Sequence, residues 1–262
     1  KINYKKMSII KELFETKNKR VLNVYFTAGF PNLEDTCELM EALQDNGVDL
    51  IELGMPYSDP LADGPVIQES SLVALHNGMT IKKLFEQLES MREKIHVPVV
   101  LMGYMNTVLQ YGFEKFCADA ANVGIDGLIL PDLPAFEFEK LYGGIVTKYN
   151  LDFVFLVTPE TSVERVRKLD NLSAGFLYAV SSSSTTGKDK KFNDITAYLE
   201  RLQSYQLKNP ILVGFGIRDK ATFDSVQTHS NGAIIGSAFI QALSTSNNIK
   251  KTTADFIQGV LN

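Results

Sequence analysis

A single glutamate interrupts the apolar run at 48–53, and the loop that follows carries two aspartates. Glu52 stands in the segment LIELGMPYSDPLADGPVIQ at 50–68, with Asp59 and Asp63 a few positions on. A carboxylate among aliphatic side chains costs several kcal/mol unless it is paired or kept protonated. Desolvation raises its pKa, and a glutamate with a raised pKa can both give and take a proton near neutrality. A second carboxylate in the adjoining loop completes the minimum needed for acid–base chemistry. Spacing does not choose between Asp59 and Asp63, because both sit in turn-forming contexts, Ser58-Asp59-Pro60 and Ala62-Asp63-Gly64. Further on, Tyr178 stands near the end of an apolar run and offers an apolar body with a polar tip, suited to an aromatic ligand or to a bond with the carboxylate. Two glycine-bearing ends, Gly214-Phe215-Gly216 and Gly236-Ser237-Ala238, allow a ligand to approach the backbone closely. The second of them opens a helix, whose free amides and positive dipole end suit a phosphate.

Other chemistries lack their residues. His76, His96 and His229 do not fall at metal-ligand spacing, and no nucleophile elbow, P-loop or CxxC is present. No lysine sits at a strand end where it could form a Schiff base. Ser181, Ser182, Ser183, Ser184, Thr185, Thr186 and Gly187 make a hydroxyl-rich loop that reads as a lid with donors for a phosphate.

These residues need a scaffold that gathers them at one place. Apolar runs at 21–27, 48–53, 97–102, 127–130, 152–157, 175–180, 211–214 and 233–235 read as strands. Helical spacing separates them, at 33–46, 81–94, 113–123, 135–149, 162–169, 194–206 and 220–227, and a last helix falls at 249–261. The opening segment KINYKKMSIIKELF lacks a signal-peptide core. It reads as a short amphipathic helix with Ile9, Ile10, Leu13 and Phe14 on one side. A further helix at 66–75 is inserted after the second strand. Eight strand–helix units in 262 residues predict one (β/α)8 barrel domain over 1–262, a fold that takes about 250 residues. The alternative is an open doubly wound sheet. It calls for a G-x-G-x-x-G after the first strand, where this chain has Thr27-Ala28-Gly29-Phe30-Pro31. In a barrel, Glu52 and the glycine-bearing ends converge on the C-terminal face, where such folds keep their active sites.

Net charge is −5, and the basic residues are dispersed, which argues against nucleic acid or an anionic membrane as partner. Cys37 and Cys117 are far apart and read as buried small hydrophobes in a reducing compartment. No run reaches the ~18 apolar residues of a membrane span.

Taken together, these segments resemble the tryptophan synthase α-subunit family over nearly the whole chain. The segment at 50–68, VYFTAGFP at 24–31, Tyr104-Met105-Asn106, PDLP at 131–134, VGFGI at 213–217 and IGSA at 235–238 carry the resemblance. It implies a lyase that cleaves indole-3-glycerol phosphate by a retro-aldol reaction without a cofactor of its own or a metal. Indole then passes to a β subunit, expected to carry pyridoxal phosphate, in a cytoplasmic or plastid-stromal α2β2 complex. By the same resemblance Glu52 is the acid–base residue, and Asp63 stabilises the ring N–H as the indolenine forms. Tyr25 and Tyr178 flank the indole, while Gly214, Gly216, Gly236 and Ser237 hold the phosphate. Thr186 and Gly187 close the lid, and Asp59 and Pro134 belong to the β-subunit interface. One departure stands out. The family's lid reads S-x-x-G-x-T-G, and Ser184 occupies the glycine position, from which slower closure is expected because serine tolerates positive φ poorly. Three other readings compete: a β-activating subunit without useful catalysis, a stand-alone indole-releasing enzyme, and an indole-glycerol-phosphate synthase. Glu52 and Asp63 together argue against the first, the serine-rich lid against the second, and the missing strand-end lysines against the third.

Overall fold

The structure, a computed structural model, describes residues 8–180, 188–214 and 216–262, without the side chains of 188–194. Nine parallel strands form one curled sheet: β1 Val21–Thr27, β2 Leu50–Gly54, β3 Val99–Met102, β4 Gly127–Ile129, β5 Asp152–Phe153, β6 Leu156–Val157, β7 Leu177–Ala179, β8 Ile211–Val213 and β9 Gly232–Ile235. Their order is β5-β4-β3-β2-β1-β9-β8-β7-β6. The two strands at the ends of this order are halves of one passage of chain, the single run expected at 152–157. Val154 N donates to Leu128 O on one side (3.0 Å), and Tyr178 N donates to Phe155 O on the other (3.0 Å). The sheet therefore closes on itself through that passage as an eight-stranded barrel. The passage divides because Phe155 N donates to Ser173 Oγ (3.1 Å) instead of to a neighbouring strand. Observed strands begin or end within three residues of their expected bounds.

The helices are α1 Ile9–Thr16, α2 Thr36–Asp45, α3 Pro65–His76, α4 Ile81–Leu88, α5 Met105–Tyr111, α6 Phe113–Asn122, α7 Ala135–Glu137, α8 Gly143–Lys148, α9 Val163–Leu172, α10 Lys188–Ser204, α11 Lys220–Val226, α12 Ser237–Ser244 and α13 Ile249–Leu261. A π-helical turn, Phe138–Tyr142, joins α7 to α8. The expected N-terminal helix (α1) and inserted helix (α3) are both present. The sequence pattern did not reveal α5. Local caps start several helices: Thr80 Oγ1 accepts from Lys83 N (3.1 Å) at α4, and Asn248 Oδ1 accepts from Lys251 N (3.0 Å) at α13.

The core is the barrel interior together with the layer between strands and helices. All seven residues of β1 are buried, as expected for a parallel strand covered on both faces. At the N-terminal end, α1 closes the barrel: Ile10 is fully buried, and the Phe14 ring packs against Phe176 at 6.3 Å. Side chains at the strand entrances take up main-chain donors of a neighbouring strand. Asp49 Oδ2 accepts from Leu22 N (2.8 Å), Asp126 Oδ2 from Val99 N (2.8 Å), and Asn231 Oδ1 from Ile211 N (2.8 Å). The end opposite α1 is left to the loops that build the site.

Candidate active site

Strands β1 and β2 pair in register, with Tyr25 opposite Glu52. Alternation along β1 puts Asn23, Tyr25 and Thr27 on one face, and that face looks into the barrel. Glu52 is almost fully buried, and burial is the main reason its carboxyl is pushed up to about 8. Asn23 Nδ2 donates to Glu52 Oε2 at 3.0 Å and pulls the other way, while the charge of Asp63 adds to the rise. The other oxygen, Oε1, has no hydrogen-bond partner among the described residues. The bond from Tyr178 to Glu52 that the sequence left open is therefore not made.

Asp63 is half-buried in the loop after β2. The Tyr104 hydroxyl donates to its Oδ2 at 2.7 Å and accepts from Ala62 N at 3.1 Å, which ties the loop to the end of β3. Burial raises the Asp63 pKa and the tyrosine bond opposes that rise. The Tyr57 ring lies 5.3 Å from the Tyr104 ring, and Asn106 Nδ2 donates to the Tyr57 hydroxyl at 3.2 Å, so the loop is anchored at two points. Asp59 is exposed, and Ser58 Oγ donates to its Oδ2 at 2.5 Å. Of the two aspartates, only Asp63 reaches the site.

Eight residues singled out in the sequence share the walls of one cavity of about 300 Å³: Tyr25, Glu52, Asp63, Tyr178, Gly214, Gly216, Gly236 and Ser237. That is the lower end of the size range for small-molecule sites. Burial, before any other cause, raises the pKa of both tyrosines, so their hydroxyls remain protonated. Their rings sit against glycines: a Cβ on Gly214 would come within 2.3 Å of the Tyr178 ring, and one on Gly54 within 2.2 Å of the Tyr25 hydroxyl. Ile67, Met102, Ile217 and Ile234 complete an apolar wall. Polar lining comes from Gly216 and Arg218 after β8 and from Gly236 and Ser237 at the start of α12. Free amides and a positive dipole end are what the first turn of such a helix presents. The cavity thus combines two carboxyls, apolar side chains and a helix N-terminus in one lining.

Pro134 lies outside the cavity, exposed at the start of α7. Thr186 and Gly187, with Ser184 and the rest of the expected lid, fall outside the described residues. The sequence reading missed Asn23 and Arg218, and it named Tyr104 only as part of a matching segment, without a role. The alternation Asn23, Tyr25, Thr27 was the available signal for the first, since three polar groups on one face of an otherwise apolar strand mark an inward polar face.

Comparison with known proteins places this geometry in a family. The family described as "Tryptophan synthase alpha chain" matches residues 12–260. The tryptophan synthase alpha chain of Flavobacterium johnsoniae is 53% identical over 231 residues, covering 88% of this chain and 91% of that one. That of Phocaeicola vulgatus is 46% identical over 250 residues, covering 95% and 97%. Among solved structures, tryptophan synthase subunit alpha from Legionella pneumophila superposes with a TM-score of 0.88 at 31% identity, covering 97% of each chain. A chain of tryptophan synthase from M. tuberculosis gives 0.85 at 30% identity, covering 97% of this chain and 100% of that one. The barrel, the cavity and these matches agree, and the chain belongs to the tryptophan synthase alpha chain family.

Proposed function

We propose that Glu52 and Asp63 carry out the family's reaction in this cavity: retro-aldol cleavage of indole-3-glycerol phosphate to indole and D-glyceraldehyde 3-phosphate. The chain is a lyase of tryptophan biosynthesis and works with a β subunit. Its substrate has a flat apolar ring and a phosphate tail, and the cavity has apolar side chains and a helix N-terminus to match. Glu52, protonated, gives its proton to ring carbon C3. The ring nitrogen takes up positive charge, which the Asp63 carboxylate stabilises through the N–H. Glu52, now ionised, accepts the proton of the hydroxyl on the adjoining glycerol carbon. That oxygen becomes the aldehyde, the C–C bond to C3 breaks, and its electron pair restores the aromatic ring. One proton enters and one leaves, so no cofactor is called for in this chain; pyridoxal phosphate belongs to the β subunit of an α2β2 assembly. Tyr25 and Tyr178 flank the ring, while the amides around Gly214, Gly216, Gly236 and Ser237 receive the phosphate. Two unpaired cysteines and bacterial relatives support a cytoplasmic setting.

The observation that carries the reading is Glu52: buried, pushed up to about 8, with one oxygen unpartnered among the described residues, in the same cavity as a second carboxyl. The test is indole release from indole-3-glycerol phosphate, with and without a β subunit. Glu52→Gln and Asp63→Asn are each expected to lower kcat by roughly 10²- to 10⁴-fold. Turnover at the wild-type level in either variant would move the chemistry to other residues.

A further inference from the structure

Asn23 is fully buried in the middle of β1, one inward position below Tyr25, and it does not line the cavity. Its amide nitrogen bonds Glu52 Oε2 at 3.0 Å, while Glu52 Oε1 and its own Oδ1 have no partner among the described residues. A buried amide with an unpaired oxygen is unfavourable for stability, and an aliphatic residue would fill an interior strand position more favourably. The position therefore has a use that packing does not supply.

We propose that Asn23 is a positioning residue for Glu52: it occupies Oε2 and so makes Oε1, the oxygen left free, the one that exchanges protons with the substrate. This rests on the reading of Glu52 as the acid–base group. The choice of an amide follows from that task. A lysine or arginine in its place would hold the carboxyl permanently ionised, and an aliphatic residue would leave it unanchored and harder to ionise. A neutral donor fixes the orientation and leaves both protonation states accessible. The other groups acting on Glu52 or sharing its cavity are Asp63 in the loop after β2, Tyr25 on β1, Tyr178 on β7 and Arg218 after β8. Of the side chains that shift Glu52, Asp63 disfavours its ionisation and Asn23 favours it.

The test uses the whole chain with Asn23→Leu, a near-isostere without polar atoms, and Asn23→Ser, which keeps a donor. Two quantities are followed: the pH dependence of kcat and KM for indole release, and the carbon-13 titration of the Glu52 carboxyl, assigned by its absence in Glu52→Gln. In Asn23→Leu the Glu52 midpoint is expected to move up by about one pH unit, a tenfold weaker ionisation. The kcat is expected to fall at least tenfold, with KM changed less than about threefold. Asn23→Ser should fall between wild type and Asn23→Leu in both. A role in packing alone would alter melting temperature and leave the Glu52 midpoint where it was, and that result would overturn the proposal. If Glu52→Gln retained turnover, the acid–base reading would fail. The carbon-13 midpoints would still report whether Asn23 governs Glu52.

Discussion

At the scale of single residues, the site keeps Glu52 neutral at a cost that returns as the pH rises. Its folded-state pKa is raised, to about 8 against an ordinary 4.5, chiefly by burial. Between those two values the folded chain holds a proton that the unfolded chain has lost, so stability falls as pH rises through that window. Below about 4.5 the group contributes nothing, and above about 8 the full penalty applies, on the order of 5 kcal/mol. Glu52→Gln removes this term. The variant is expected to melt close to wild type at pH 4.5 and several degrees above it at pH 8.5, as read by thermal unfolding followed by circular dichroism. An equal offset at both pH values would mean that Glu52 is not held neutral in the fold. Such a residue was visible in the sequence because a glutamate inside an aliphatic run is a visible exception. For Asn23 the alternation with Tyr25 and Thr27 marked an inward face, but its partner was hidden until the pairing of β1 with β2 brought it to Glu52.

At the scale of elements, legibility followed how local each element's causes are. The β1 run and the capped helices α4 and α13 carry their signals within themselves. Helix α5 does not. It has seven residues, too few to show a period, and its first amide, Met105 N, is received by the carboxylate of Asp132, 27 positions on, at 3.0 Å. The split of the fifth strand passage also has a distant cause, the Ser173 hydroxyl. This same α5 entrance holds the loop after β2, since Tyr104, immediately before it, bonds Asp63 and the Ala62 amide. Tyr104→Phe keeps the ring packed on Tyr57 and deletes both bonds. It is expected to lower kcat roughly 10- to 100-fold, the cost of a misplaced carboxylate about 1 Å from its working position. Steady-state kinetics of indole release checks this, and an unchanged kcat would show that the Tyr57–Asn106 anchor alone holds the loop.

At the scale of the molecule, the partner subunit needs a surface, and three of the five exposed large hydrophobic side chains among the described residues follow closely on the strands that frame the site, Leu72 and Leu141 lying farther along α3 and the π-helical turn. Leu61 (91% exposed), Leu109 (49%) and Phe136 (59%) follow β2, β3 and β4 in turn, at the barrel end that carries the cavity. The loop bearing Leu61 and the segment leading into α7, which bears Phe136, share a hollow of about 410 Å³ walled by Ala62, Pro131, Leu133 and Ala135. Asp59 and Pro134, assigned to the interface by resemblance, flank these side chains in the sequence. Large apolar side chains left in water next to a functional site mark a docking face, and buried aromatics contribute most at such faces. Lys140 stands 4.1 Å from the Phe136 ring centroid and covers one side of it, leaving the other for a partner. Phe136→Ser removes the ring without touching the core, so the isolated chain should keep its stability within about 0.5 kcal/mol. Affinity for the β subunit, measured by titration calorimetry, is expected to fall about 30-fold, the loss of roughly 2 kcal/mol that defines a hot spot. Binding at wild-type strength would take Phe136 out of the interface and leave Leu61 and Leu109 as the apolar contacts to be tested in the same way.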